Sequence, residues 1–236
     1  MRAALADGAK PDFFCRPEDS KNSLHVASEK GFEDIVETLL QAGAAVNANC
    51  IANKSTPLHF AAAKEGNEAV VDLLLKHGAE VNRLNGFGNI PLHEAARSGG
   101  VKTIELLLTA GANVQLKNHK GSTALSFACF DEEEKKKEKG PSSSSSSSSS
   151  LRAVEIVKAL IKAGSDVNSK DDQGMTPFLV TCASGRTDLM DVLVKEGADI
   201  HICDAGNRSA RDIAEFYRQD KVLAKLDALF ASHDRK

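Results

Sequence analysis

Apolar residues recur in steps of three and four at Ile35-Val36-Leu39-Leu40, Val70-Val71-Leu74-Leu75, Ile104-Leu107-Leu108 and Ile156-Val157-Leu160-Ile161. Such spacing lays one apolar stripe along a helix and leaves the positions between for polar groups. The stripes run out at a glycine, a small residue and a short extended piece: Gly43-Ala44-Ala45-Val46-Asn47, Gly78-Ala79-Glu80-Val81-Asn82, Gly111-Ala112-Asn113-Val114 and Gly164-Ser165-Asp166-Val167-Asn168, with Gly197-Ala198-Asp199-Ile200 as a fifth instance. Glycine supplies the left-handed residue on which a helix ends. Shorter apolar segments precede the stripes, at Thr56-Pro57-Leu58-His59-Phe60-Ala61-Ala62, Ile90-Pro91-Leu92-His93-Glu94-Ala95-Ala96 and, more weakly, Thr123-Ala124-Leu125-Ser126-Phe127-Ala128. They predict a first helix ahead of each striped one. Leu24-His25, Leu58-His59 and Leu92-His93 fall 34 residues apart. A fixed period of that length predicts a solenoid of helix pairs.

Thr-Pro-Leu-His-x-Ala-Ala at residues 56–62 and Gly-Ala-Glu-Val-Asn at residues 78–82 resemble the signature of the ankyrin-repeat family, and five internal units follow its order and spacing. The resemblance implies an all-α ankyrin-repeat solenoid. Each unit would be a β-hairpin loop and two antiparallel helices, and the stack a curved slab with projecting hairpin fingers. Repeats are expected at 18–50, 51–84, 85–117, 118–170 and 171–203, after a partial N-terminal repeat at 1–17. Ala4-Leu5-Ala6-Asp7-Gly8-Ala9 reads as the tail of a second helix, so the chain is expected to start inside a repeat. Residues 204–236 read as a divergent C-terminal cap, in which Arg211 stands where the other units carry leucine. A terminal unit has one face without a neighbour and must meet water there.

The fourth unit is longer than the others: 53 residues separate Leu125 from Phe178, and the excess maps to 131–150. Asp131/Lys135, Glu132/Lys136 and Glu133/Lys137 are four apart, which predicts that the first helix is prolonged until Gly140-Pro141 stops it. The nine serines Ser142 to Ser150 cannot bury apolar area and are expected to form a mobile linker. Closing such a loop costs roughly 2 kcal/mol, which a repeat array can absorb. The tract reads either as a phosphorylation tract or partner-specific arm, or as a tolerated expansion, and we favour the expansion.

Composition changes little in this picture. With 42% hydrophobic and 27% charged residues the chain can bury a core unaided. A net charge of -3 gives no broad field for polyanions, so nucleic acid is not an expected partner; the one basic cluster of note is Lys117, His119 and Lys120. Cys15, Cys50, Cys129, Cys182 and Cys203 are odd in number and form no Cys-x-x-Cys pair, which argues for a reducing compartment. No stretch approaches 18 apolar residues and no signal peptide is evident, so a cytoplasmic or nuclear monomer without membrane insertion is expected.

Candidate chemistry dissolves on inspection. His25, His59 and His93 recur once per unit, so their helices, about 8–10 Å apart, set them in a ladder rather than around one metal. The family resemblance implies that this histidine bonds to loop backbone. His93-Glu94-Ala95-Ala96-Arg97 lacks the second histidine of a zinc-protease motif, and Gly86-Phe87-Gly88 lacks the third glycine of a dinucleotide fingerprint. Cys129 and Cys182 occupy one position in adjacent units and are expected to stay reduced, too far apart to bridge. We therefore expect no enzyme activity, no metal, no cofactor and no small-molecule substrate.

The resemblance places partner contacts on hairpin tips and on the concave face made by the first helices. The tips carry Asn53, Lys54, Phe87, Asn89, His119, Lys120, Asp172, Gln173 and Met175; the concave face carries Lys64, Arg97, Ser98, Phe130 and Ser184. Phe87 and Arg97 have the character of interface anchors, although Phe87 could fold back on Ile90 and Phe130 could be covered by a prolonged helix. Asn82 and Asn168 lie in sequences similar to those modified by asparaginyl hydroxylases in ankyrin repeats, with turn capping the simpler reading. The expected function is a protein-binding scaffold or adaptor. The alternative is the regulatory or targeting domain of a larger enzyme, such as a kinase or ubiquitin ligase, whose catalytic part is absent.

Overall fold

The computed structural model describes residues 21–98, 100–130 and 146–233. The expected partial repeat at 1–17, the charged run 131–139, the Gly140-Pro141 stop and the serines 142–145 lie outside them. Contacts divide the chain into one unit ending at His119 and a second beginning at Lys120. The described residues hold twelve helices and no strand.

In the first unit α1 (Ser23–Lys30), α3 (Pro57–Ala62) and α5 (Pro91–Ser98) form one layer, and α2 (Glu33–Gln41), α4 (Glu68–Lys76) and α6 (Val101–Thr109) the other. Each first helix packs on its own second helix and on the next first helix, and the second helices pack in series. Leu24, Val36, Leu58, Val71, Leu74, Leu92, Ile104 and Leu107 have no exposed surface and fill the space between the layers. Each buried leucine of this kind contributes about 1.5–3 kcal/mol. In the second unit α7 (Ala124–Cys129), α9 (Pro177–Ser184) and α11 (Ala210–Phe216) face α8 (Ser146–Lys162), α10 (Thr187–Lys195) and α12 (Asp220–His233) in the same way.

The helix starts explain the repeated histidine. At α1, Asn22 Oδ1 accepts from His25 N at 3.0 Å, while His25 Nδ1 accepts from Asn22 N at 3.1 Å. Histidine thus takes the part that glutamate plays in a capping box. Its other nitrogen then donates outward, His25 Nε2 to Ala48 O at 2.9 Å and His59 Nε2 to Asn89 O at 3.0 Å, tying the first helix to a loop. One ring satisfies helix end and loop together.

Second helices end on left-handed glycines, with φ of 85° at Gly43, 84° at Gly78 and 88° at Gly111. Just beyond, an asparagine joins one repeat to the next. Asn82 Nδ2 donates to Gly111 O at 3.0 Å and its Oδ1 accepts from Asn113 N at 2.8 Å. Asn47 bonds Gly78 O and Glu80 N in the same manner, as Asn168 bonds Gly197 O and Asp199 N.

Two expectations for the fourth repeat are corrected. Helix α7 ends at Cys129 and Phe130 is extended, φ -89° and ψ 133°, so the helix does not run on toward the charged segment. Ser146 to Ser150 belong to α8 instead of a mobile linker. Ser150 Oγ donates to Asp188 Oδ2 at 2.7 Å, and Arg186 holds the same carboxylate through two bonds of 3.0 and 2.8 Å. Burial would raise the Asp188 carboxyl, but the bonds from Arg186 and Ser150 outweigh it and hold it below its ordinary value. A side chain 38 residues away thus gives the serine end of the helix a partner that composition does not show.

Candidate interaction loops

The loops between helix pairs make hairpin-like turns, each closed by a pair of backbone bonds, of which one runs from Cys50 N to Ser55 O at 3.0 Å, Asn85 N to Asn89 O at 2.9 Å, Asp171 N to Met175 O at 3.1 Å and Asp204 N to Arg208 O at 3.1 Å. An Asn or Asp side chain shapes all four from inside, and in the first Asn53 Oδ1 accepts from Ser55 N at 3.1 Å. Asn85 Oδ1 accepts from Phe87 N at 2.9 Å and Asn89 N at 3.1 Å. Asp171 Oδ1 accepts from Gln173 N and Met175 N, both at 2.9 Å, and Asp204 Oδ1 from Gly206 N and Arg208 N at 2.9 and 2.8 Å.

Neighbouring tips are stitched together within each unit. In the first, Gly86 N donates to Asn53 O at 2.6 Å and His119 N to Phe87 O at 3.0 Å. A Cβ at Gly88, where φ is 74°, would lie 2.6 Å from His119 N, so only glycine permits this approach. In the second, Asp172 N donates to Lys120 O at 3.0 Å and Ala205 N to Gln173 O at 2.8 Å.

Of the predicted residues in the first unit, Asn53, Phe87 and His119 are brought together by these bonds. Phe87 is 58% exposed, while Ile90 is fully buried. Lys54, exposed, holds a left-handed φ of 56° at the first tip. Asn89 departs from the expected exposed tip: it is buried, its carbonyl serves His59, and its amide donates to Glu94 Oε1 at 2.9 Å. Glu94 was not singled out in the sequence, yet its other oxygen accepts from Arg97 at 3.0 Å, coupling loop to helix end. Ser98 Oγ reaches Ala63 O at 2.9 Å, which brings exposed Ser98 and Arg97 beside Lys64.

On the first unit's loops between helix pairs, two exposed apolar residues were also missed, Ile51 at 68% and Leu84 at 48%. The signal for Ile51 was present, because it stands five residues before its helix-capping Thr56, where Asp171 precedes Thr176 and Asp204 precedes Ser209.

In the second unit Lys120, Asp172 and Gln173 are exposed at the tips and Met175 is half-buried. Phe130, 40% exposed, lies at the far end of α7, and Ser184 is buried with its hydroxyl on Cys129 O at 2.9 Å. Val180 occupies the position of Glu94, so no carboxylate couples tip to helix end there.

Three of the reactive side chains, His59, Cys129 and Cys182, are tied up in the scaffold. His59 is neutral in this arrangement: burial holds its pKa below the ordinary value, Nδ1 accepts from Thr56 N at 3.2 Å and Nε2 donates to Asn89 O. Burial pushes the Cys129 and Cys182 thiols up to about 12, so neither is a nucleophile at neutral pH.

A family model described as ankyrin repeats (3 copies) matches residues 3–85, 24–118, 58–135 and 147–226. The chain belongs to the ankyrin-repeat family. Ankyrin repeats imply a protein-interaction domain, and the stitched loops above are ankyrin-repeat loops. Among curated proteins, the chain is 39% identical over 46 residues to protein phosphatase 1 regulatory subunit 27 of Homo sapiens, covering 20% of this chain and 30% of that protein; the Mus musculus counterpart gives the same figures. It is 27% identical over 88 residues to an ankyrin repeat-containing protein of Schizosaccharomyces pombe, covering 33% of this chain and 42% of that one. The chain thus spans less than half the length of these relatives. No helix among the described residues is long and apolar enough to cross a membrane.

Proposed function

We propose that the chain is a non-catalytic scaffold or adaptor that binds a protein partner through the loop tips and adjoining helix ends of its first unit. The observation that carries this reading is Phe87, more than half exposed on a loop held by Asn85, Asn53 and His119. An aromatic anchor on a pre-ordered loop loses little entropy on binding. Lys54, Lys64, Arg97 and Ser98 complete the surface, with Lys120, Asp172, Gln173, Met175 and Phe130 as the corresponding positions of the second unit. Affinity capture from native cell extract tests it, comparing the unmodified chain with a Phe87→Glu, Arg97→Glu double variant whose fold is verified by circular dichroism. A stoichiometric protein lost only in the variant supports the reading; the same proteins on both forms contradict it.

The second reading, a regulatory domain attending an enzyme's catalytic subunit, draws support from the similarity to a phosphatase regulatory subunit. The same capture separates the two, since the regulatory reading requires an enzyme among the proteins retained.

A further inference from the structure

The connecting segments of the first unit, residues 42–56, 77–90 and 110–119, carry three fixed cations, Lys54, Arg83 and Lys117, against a single carboxylate, Glu80. The chain as a whole carries a net charge of -3. The same segments present Ile51, Leu84 and Phe87, exposed by 68%, 48% and 58%. Adjacent tips are locked by the bonds from Gly86 N to Asn53 O and from His119 N to Phe87 O, so the loop backbones that carry these side chains are held in fixed register. Arg83 is steadied by Glu80 Oε2 at 3.1 Å, and Lys54 is exposed on the turn next to Ile51.

Resting on the scaffold reading, we propose that these loops dock an acidic protein segment carrying apolar anchor residues. The cations steer and orient the segment, and its anchors cover Ile51, Leu84 and Phe87. Charge complementarity acts mainly on encounter and partner choice, and burial of the apolar tips mainly on affinity. Nucleic acid fits less well, because three cations release few counterions and because neither Ile51 nor Leu84 can stack on bases.

A random-sequence peptide display library panned on the full-length chain tests this. Two variants with folds verified by circular dichroism stand beside it: Lys54→Glu/Arg83→Glu/Lys117→Glu, and Ile51→Ser/Leu84→Ser/Phe87→Ser. The expected result is enrichment of peptides in which Asp and Glu flank Leu, Ile or Phe. Those peptides bind roughly tenfold or more weakly to either variant, and added salt relieves the defect of the charge reversal only partly, because anchors remain. Enrichment of neutral or basic peptides, no enrichment over background, or binding unchanged by the charge reversal would each overturn the proposal. A random single-stranded oligonucleotide, run in parallel, is expected not to bind; steeply salt-dependent binding lost in the charge reversal would make this a nucleic-acid surface instead. If extract capture depends on Phe87 while charge reversal has no effect, the scaffold reading stands and the acidic-segment assignment fails.

Discussion

The two units build the same loop with different side chains, and the substitutions show which groups the scaffold requires. In the first unit a neutral amide, Asn85, holds the turn; in the second the carboxylates of Asp171 and Asp204 accept equivalent backbone bonds. The bonds survive the exchange, but the charge of the surface does not. Segments 120–123, 163–176 and 196–209 contain six carboxylates, Asp166, Asp171, Asp172, Glu196, Asp199 and Asp204, against Lys120, Lys170 and Arg208. The loops of the first unit have the opposite balance. Backbone demand fixes the shape, and whichever acceptor meets it sets the field that a partner encounters.

The contrast between supporting and presenting residues can be broken most severely at the aromatics. Phe178 is fully buried and Phe87 is more than half exposed. Phe178→Ala is expected to cost about 3–5 kcal/mol and Phe87→Ala no more than about 0.5 kcal/mol, read from urea unfolding midpoints. A comparable loss at both positions would mean that Phe87 belongs to the core.

A reciprocal exchange of the loop acceptors comes next. Asn85→Asp sets a new carboxylate where Nδ2 now faces Glu94 Oε1 at 3.5 Å, and should cost about 2 kcal/mol. Asp171→Asn keeps the two accepted bonds and should cost less than about 1 kcal/mol. Equal penalties would show that the second unit depends on the charge itself.

Asn82→Ala and Asn168→Ala sharpen what the units share. Each removes one donated and one accepted bond to the following repeat, and each should cost about 1–2 kcal/mol. Unequal losses would contradict the equivalence of the two joints.

The smallest effect is linked to pH, because the Asn89 carbonyl partly offsets the burial of the His59 ring. His59 has its pKa lowered in the fold, so its contribution is complete above the ordinary value of 6.5 and is lost as pH falls below it. Leu179 stands at the same position in the second unit and titrates nothing. The urea midpoint should fall on acidification, and fall less in His59→Leu; an equal fall would remove His59 from the account.

Helix pairing was legible in the sequence because its causes are local. Thr56-Pro57 starts a helix, Val70-Val71-Leu74-Leu75 buries one face and Gly78 stops it, all within about two dozen residues. Much of the candidate surface was not legible, because exposure is decided by partners distant in sequence. Asn89 reads as a polar tip residue, but His59, 30 residues away, takes its carbonyl, and the residue is buried. Ser150 reads as linker until Asp188 supplies its bond. Phe87 was legible, since an aromatic between two glycines has no helix to join, whereas nothing in the local pattern separates Ile51 and Leu84 from buried loop residues such as Ile90.

On the proposed reading the first unit presents the binding surface and the second unit's tips are not required. Quantitative affinity capture from native extract tests it most directly, using the unmodified chain, Phe87→Glu and Gln173→Glu as a matched pair of exposed tip changes. One stoichiometric protein partner is expected to be retained by Gln173→Glu and lost by Phe87→Glu. Loss with Gln173→Glu and retention with Phe87→Glu would contradict it.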